Sequence, residues 1–134
     1  MNTADIRRWF DAYLADFVAL GAGESDDVSL MLKQYGVPML LSTEAGCMVL
    51  TDEAQVLAAA GKQVAQMRST GYHRSAELAA ESMILNPTCA LHRGRFARLR
   101  ADGTEITRLD ATYLITALPV GLRISAVVVH SATS

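Results

Sequence analysis

The chain has 134 residues, 51% of them apolar, which is the size of one domain and is enough apolar content for a core. Its 12 basic and 14 acidic residues leave a formal charge of -2 and form no basic stripe, which argues against nucleic acid as a partner. No signal core opens the chain, and no run reaches the roughly 18 apolar residues that a membrane span needs. We therefore expect one domain over residues 1–134, cytoplasmic and without a membrane partner.

Residues 4–20 carry an apolar stripe at spacings of three and four, which predicts an amphipathic helix with Thr3 as its N-cap and Gly21 at its end. The stripe consists of Ile6, Trp9, Phe10, Tyr13, Leu14, Phe17 and Val18. A second, shorter helix is predicted after the cap Ser25, with Met31 and Tyr35 among its apolar residues, and it ends at Gly36.

Two short apolar runs, 39–43 and 47–50, predict a small hairpin. Thr51 then caps a third predicted helix over residues 52–68. Gly61 weakens this helix and is tolerable there if another backbone packs close to it.

The second half of the chain is rich in strand-forming residues. Turn sequences separate four long runs, which predicts an antiparallel meander over residues 74–83, 88–99, 105–117 and 122–130. Helices and a hairpin followed by such a meander are typical of an α+β fold in which the helices cover one face of a curved sheet.

A two-residue turn at Asp102-Gly103 sets the strand register and places His92 beside Tyr113. The next turn places Tyr113 beside Ala126 and Ala111 beside Val128. This register predicts an inner face, against the helices, that collects Ala90, His92, Phe96, Leu109, Tyr113, Ile115, Ile124 and Val128.

The opposite face is predicted to be unusually apolar for a solvated surface. It carries Leu91, Arg93, Arg95, Asp110, Thr112, Leu114, Val127 and Val129, with Arg95 directly across from Asp110. We expect a homodimer that covers this face, with Arg95 and Asp110 as a partly buried ion pair at the interface. The alternative is an exposed ion pair of little energetic weight.

Four segments resemble the nuclear transport factor 2-like superfamily, which includes ketosteroid isomerases, limonene-epoxide hydrolases and SnoaL-like cyclases. They are RRWFDAYLADFVALG in the first helix, YGVP before the hairpin, RFARLRADGT across the long hairpin, and TYLITALPVGLRI at the last turn. The resemblance covers nearly the whole chain. It implies a cystatin-like α+β cone with a pocket, in which three N-terminal helices and a small hairpin pack on a curved four-stranded meander. The superfamily hosts enzymes, binding modules and association domains, so the fold leaves the function open.

Isomerases of this superfamily need a carboxylate base on a pocket-facing strand and an oxyanion partner on the first helix. Tyr13 occupies a similar place on the first helix, but the only acid near the hairpin strand is Glu44, in a turn where glutamates are usually solvated. Asp110 belongs to the outer face in the predicted register. Tyr13 is also readily explained as a core residue whose hydroxyl finds one partner.

Epoxide hydrolases of this superfamily hold a water molecule between an arginine and two aspartates. The comparable set here is Arg93, Arg95 and Asp110, with Glu77 as the second acid if the neighbouring strand brings it beside Arg95. A structural ion-pair network explains the same residues.

His92 and Tyr113 form the most reactive polar pair of the predicted inner face, because an imidazole and a phenol can orient or protonate a small ligand. The alternative is a core histidine with a satisfied hydrogen bond. No histidine spacing fits a metal site and no cofactor-binding loop is present, so we expect neither a metal nor a cofactor. Cys47 and Cys89 are expected to be reduced thiols in the core.

We expect the pocket to be mostly apolar with a few polar groups, which suits a small hydrophobic or aromatic ligand. Its predicted wall consists of Trp9, Tyr13, Phe17, Met31, Tyr35, His92, Phe96 and Tyr113. Binding of such a molecule is the preferred function. An isomerase, cyclase or hydrolase using the same pocket, and an association domain with a filled pocket, are the alternatives.

Overall fold

The computed structural model describes residues 1–131 and contains one six-stranded sheet with helices on one face. In chain order the elements are α1 (Thr3–Gly21), a 3-10 helix (Val28–Lys33), β1 (Tyr35–Thr43), β2 (Gly46–Leu50), α2 (Glu53–Ser69), β3 (Tyr72–Asn86), β4 (Cys89–Arg100), β5 (Glu105–Leu118) and β6 (Gly121–Ser131). The strand order across the sheet is β2-β1-β6-β5-β4-β3. The predicted α+β fold class is confirmed.

The entry to β1 differs from the sequence prediction. The second helix is a short 3-10 helix, and Tyr35, predicted to belong to it, begins β1 instead. The amide of Ile124 donates to the Gln34 carbonyl at 2.6 Å, and β1 then runs parallel to β6. A Cβ on Gly36 would lie 2.9 Å from the Ile124 carbonyl oxygen, so glycine permits this close approach. The hairpin therefore extends the meander into the same sheet.

Both long helices begin with side-chain caps, each one residue away from the predicted cap. Asn2, not Thr3, caps α1, because its side chain accepts from the Asp5 amide while the Asp5 carboxylate accepts from the Asn2 amide. Asp52, not Thr51, caps α2 by accepting a backbone N–H of the first turn.

The predicted pairing of β4 with β5 is confirmed from Arg98 opposite Thr107 onward, including His92 opposite Tyr113. The predicted two-residue turn at Asp102-Gly103 is wrong. The register shifts by one residue at Leu99 opposite Glu105, and the Arg100 amide donates to the Thr104 carbonyl, so three residues form the turn. The predicted pairing of β5 with β6 is correct only as far as Ile115 opposite Ile124. Beyond that pair the register shifts by one residue at Ser125.

The shift at Ser125 exchanges the faces of the last valines. Tyr113 pairs with Val127 instead of Ala126, and Ala111 pairs with Val129 instead of Val128. Val127 is buried on the inner face, whereas Val128 is 41% exposed. The predicted faces of Val127, Val128 and Val129 were therefore wrong, because the bulge is not visible in a pattern of consecutive valines.

Helix α1 supplies the aromatic part of the core. Its buried face packs against the inner face of the sheet with Ile6, Phe10, Tyr13, Phe17 and Leu20. Burial of each isoleucine, leucine or phenylalanine among them stabilises the fold by about 1.5–3 kcal/mol. Arg7 fixes the helix to β3 through hydrogen bonds of 2.6 and 2.9 Å to the two Glu77 carboxylate oxygens. Neither long helix of the described chain is long and apolar enough to cross a membrane.

Replacing Gly61 or Gly94 by alanine should change the free energy of unfolding in opposite directions. A Cβ on Gly61 would meet no atom outside its own helix backbone within 4 Å, so no neighbouring backbone requires a glycine there. Gly61→Ala should raise the free energy of unfolding by about 0.5–1 kcal/mol, because alanine favours the helix. A Cβ on Gly94 would lie 2.6 Å from the Phe96 ring, so Gly94→Ala should lower it by about 1–3 kcal/mol. Urea denaturation measures both, and a shift in the same direction for both variants would contradict this packing.

Candidate functional site

A cavity lies between the two helices and the inner face of the sheet. The centres of water-sized molecules can occupy a free volume of about 50 Å³ inside it. This is room for roughly three to five water molecules. The apolar wall consists of Leu14, Phe17, Met39, Leu41, Leu50, Val56, Ala59, Ala60, Phe96, Leu109, Ala111, Val127 and Val129, and the polar groups belong to Tyr13, Tyr35, Gln63, Ser75, Arg98 and Tyr113.

Three buried tyrosines form the polar centre of the cavity wall. The hydroxyls of Tyr13 and Tyr35 are 3.1 Å apart, and the rings of Tyr13 and Tyr113 are 5.8 Å apart in an edge-on arrangement. Burial raises the pKa of each phenol above its ordinary value, and for Tyr13 the neighbouring Tyr35 adds to the increase. All three hydroxyls therefore stay protonated at neutral pH.

Arg98 is the cation of the cavity wall. It comes from the inner face of β4, is half-buried, and its guanidinium carbon lies 6.0 Å from the centre of the Phe17 ring. Its charge opposes the effect of burial on the pKa of Tyr35 and of Tyr113, as expected for a guanidinium near both phenols. Sequence reasoning did not select Arg98, although alternation along β4 places it on the same face as Phe96.

Five of the predicted pocket residues line this cavity, namely Tyr13, Phe17, Tyr35, Phe96 and Tyr113. The other three lie away from its wall. Trp9 stacks on the far side of the α1 stripe against Tyr13, with ring centres 6.4 Å apart. Met31 is 1% exposed and fills the core beneath the 3-10 helix. His92 does not line the cavity and packs against the ring of Phe10.

His92 packs against Phe10 more closely than against its strand neighbour Tyr113. The Phe10 ring centre lies 4.0 Å from that of His92 and 4.9 Å from that of Tyr113, whereas the His92 and Tyr113 rings are 6.3 Å apart. The Nδ1 atom of His92 bonds the Ser82 hydroxyl at 2.8 Å, while Nε2 is buried without a hydrogen-bond partner within residues 1–131. Burial lowers the pKa of His92, and so does the charge of Arg7. His92 is therefore a neutral imidazole in the core at neutral pH.

The predicted arginine and acid set is divided between the two faces of the sheet. Glu77 pairs in register with Phe96 and binds Arg7, so it does not lie beside Arg95. Arg95 binds Asp110 on the outer face through bonds of 2.9 and 3.3 Å, and this pairing lowers the pKa of the Asp110 carboxyl. Asp110 is only 5% exposed. These groups cannot hold one water molecule together in the cavity.

The remaining candidates are at the surface. Glu44 is exposed in the turn between β1 and β2. Cys47 is also exposed, and Cys89 is half-buried, so the expectation of two core thiols was wrong for Cys47. Its strand is an edge strand, and Cys47 pairs with Ser42 on the outer face. Within residues 1–131, no three His, Cys, Asp or Glu side chains lie close enough to hold a metal ion.

The burial of His92 predicts a pH dependence of stability. The unfolded imidazole has a pKa of about 6.5. Because the folded pKa is lower, the unfolded chain binds the proton first, and the free energy of unfolding should fall as the pH drops below about 6.5. Glu77 and Asp11 oppose this shift without reversing it.

The variant His92→Gln should flatten the decrease between pH 7 and pH 5, whereas His73→Gln, at an exposed position, should keep it. Urea denaturation at each pH gives both slopes. An unchanged slope in His92→Gln would contradict the assignment of His92 as a neutral core imidazole.

Comparison with known proteins agrees with this architecture. The described fold is similar to an uncharacterised cystatin-like protein from Caulobacter vibrioides, with 13% identity, a TM-score of 0.70, and 96% and 87% of the two chains covered. An NTF2-like protein of unknown function from Shewanella oneidensis has 18% identity and a TM-score of 0.69 over 96% of this chain and 98% of its own.

A Xanthomonas campestris protein provisionally described as a calcium/calmodulin-dependent protein kinase II association domain has 11% identity and a TM-score of 0.68, with 97% and 87% of the two chains covered. At these identities the likeness concerns the fold alone. No curated protein sequence is significantly similar to the chain. The model of the family described as NTF2-like protein DUF6841 matches residues 4–132, and the chain therefore belongs to this NTF2-like family.

Proposed function

We propose that this chain, as a single domain in the cytoplasm, binds a small, largely apolar molecule in the cavity between the helices and the sheet. The observation that supports this proposal best is a preformed space with apolar walls on which the hydroxyls of Tyr13, Tyr35 and Tyr113 converge. The free volume of about 50 Å³ suits a single ring or a short chain. Binding of this kind requires no cofactor.

Catalysis in the same cavity is the less supported alternative. An isomerase, cyclase or hydrolase needs an acid or a base that faces its substrate. In the described part of the chain no aspartate, glutamate or histidine lines the cavity. The buried phenols stay protonated, so they can orient a ligand but do not abstract a proton from it.

A test of ligand binding compares two neighbouring alanines of α2. Ala59 lines the cavity, whereas Ala58 is exposed on the other side of the helix. The probes are benzyl alcohol, benzamide and benzoate, each a single ring with one polar substituent. At least one should shift backbone amide resonances of the cavity wall in NMR titrations, with a dissociation constant of about 1 mM or tighter.

Ala59→Leu should abolish this binding because its larger side chain fills the cavity, and Ala58→Leu should leave it unchanged. Thermal unfolding of both variants establishes that they are folded. Failure of all three probes to shift these resonances at millimolar concentration would contradict the proposed function.

We also propose that the protein is a homodimer formed through the outer face of the sheet. The supporting observation is one apolar row on that face that crosses all the strands, made by Met83, Leu91, Leu114, Ala126, Leu40 and Val49. At the two ends of the row, Met83 is 58% exposed and Val49 is 64% exposed. The row spans about 24 Å, since neighbouring strands lie about 4.8 Å apart. In a monomer, this apolar row would be exposed to water.

A second copy of the chain is the partner that this face fits best. Next to the apolar row, Glu81 lies opposite Arg93, and Arg95 binds Asp110 one row further. A surface that carries both signs of charge beside an apolar strip can be complementary to itself about a twofold axis. In the proposed dimer the Arg95–Asp110 pair lies within the interface. An association domain with a filled pocket is less well supported, because the cavity retains free volume.

The dimer is tested by a charge placed in the middle of the apolar row. The wild-type protein should have twice the chain mass of 14.4 kDa by light scattering after size exclusion. Leu114→Glu should give the monomer mass with an unchanged circular dichroism spectrum, because a buried unpaired carboxylate disfavours the interface. Val120→Glu, in the exposed turn after β5, should remain a dimer. A monomeric wild-type protein would contradict the proposed interface.

A further inference from the structure

Arg98 gives the cavity an unbalanced positive charge. It is the only ionised side chain at neutral pH among the described residues that line the cavity. The salt bridges within residues 1–131 involve Arg7, Arg8, Arg68, Arg95 and Arg108, and none involves Arg98. Its guanidinium carbon lies 6.0 Å from the centre of the Phe17 ring. A half-buried guanidinium without a carboxylate partner can form a charge-assisted hydrogen bond with an anionic ligand.

The phenols that interact electrostatically with Arg98 cannot neutralise its charge. Arg98 acts on the pKa of Tyr35, Tyr72 and Tyr113, which places all three phenols within its electrostatic reach. Burial nevertheless keeps each phenol protonated at neutral pH, because its effect on the pKa is larger than that of Arg98. A protonated phenol and a guanidinium both present hydrogen-bond donors to the cavity. The wall is therefore matched to the acceptor end of a ligand.

We infer that the molecule bound in this cavity is a small monocarboxylate with an apolar body of one ring or a short chain. This inference rests on the proposed function and names its ligand class. The guanidinium of Arg98 pairs with the carboxylate, since its planar fork matches carboxylate geometry. Tyr35 and Tyr113 also line the cavity, where a phenol hydroxyl can donate to the carboxylate. The ring or chain of the ligand packs against the aliphatic residues of the cavity wall.

The charge of the cavity favours a carboxylate over a phosphate. A phosphate monoester would bring up to two negative charges. One guanidinium balances one negative charge. Among the described residues that line the cavity, no second cation is present to balance another.

The test compares benzoate with benzamide, which have the same ring and nearly the same shape but differ in charge. Isothermal titration calorimetry or NMR titration should show that wild-type protein binds benzoate about tenfold or more tightly than benzamide. Added salt should weaken benzoate binding and leave benzamide binding unchanged. Arg98→Gln should remove the preference for benzoate while retaining benzamide binding. Arg74→Gln, at an exposed position on β3, should keep the wild-type preference.

The outcomes separate this inference from the proposed function. Equal affinity of the wild-type protein for benzoate and benzamide would overturn the carboxylate class and leave cavity binding in place. An Arg98→Gln variant that still prefers benzoate would overturn the role of Arg98. If neither compound bound, and benzyl alcohol also failed, the proposed function itself would fall. Arg98→Lys provides a second variant that keeps the charge, and it should retain part of the preference for benzoate if Arg98→Gln proves unstable.

Discussion

The alternation of side chains along the two central strands is the constraint on which the rest of the structure depends. Strands β4 and β5 pair residue for residue over most of their length, so every second side chain faces the helices. The aromatic stripe of α1 is complementary to that face, and Arg7 holds the helix on it by binding Glu77. Burial of Phe10 against His92 closes one end of the space between helix and sheet. A shift of one residue in this pairing would expose the aromatic core and bury Arg95.

The other end of the same space stays open because the opposing side chains are small. Helix α2 contributes Ala59 and Ala60 to the cavity wall, and β5 contributes Ala111. These small side chains leave space beside the aromatic residues of α1. The polar groups of the cavity wall are three phenols, Gln63, Ser75 and one guanidinium, and Arg98 is the only charged group among the described residues there. Packing of the core and the chemistry of the candidate site thus follow from the same strand register.

Much of the fold could be predicted from sequence because it depends on periodic patterns. The stripe of α1 and the pairing of His92 with Tyr113 are regular features, and they are confirmed. The turn around Asp102-Gly103 was predicted in the correct place but one residue too short, because the register shifts at Leu99. The bulge at Ser125 could not be predicted, since a run of valines fits either face equally well. The joining of β1 to β6 depends on a parallel contact between distant segments, which leaves no local signal. Arg98 was overlooked because the expected chemistry centred on acids and histidine, although strict alternation already placed it on the inner face.

The most direct test of the proposed function and its ligand class is a crystal structure of the protein grown with benzoate. We expect density for one ring between Phe17 and the aliphatic wall, with the carboxylate within hydrogen-bond distance of the Arg98 guanidinium. The three phenols should keep their positions, because the cavity is preformed. A structure in which wall side chains fill the cavity, or in which benzoate binds only at another surface, would contradict both the proposed function and its ligand class.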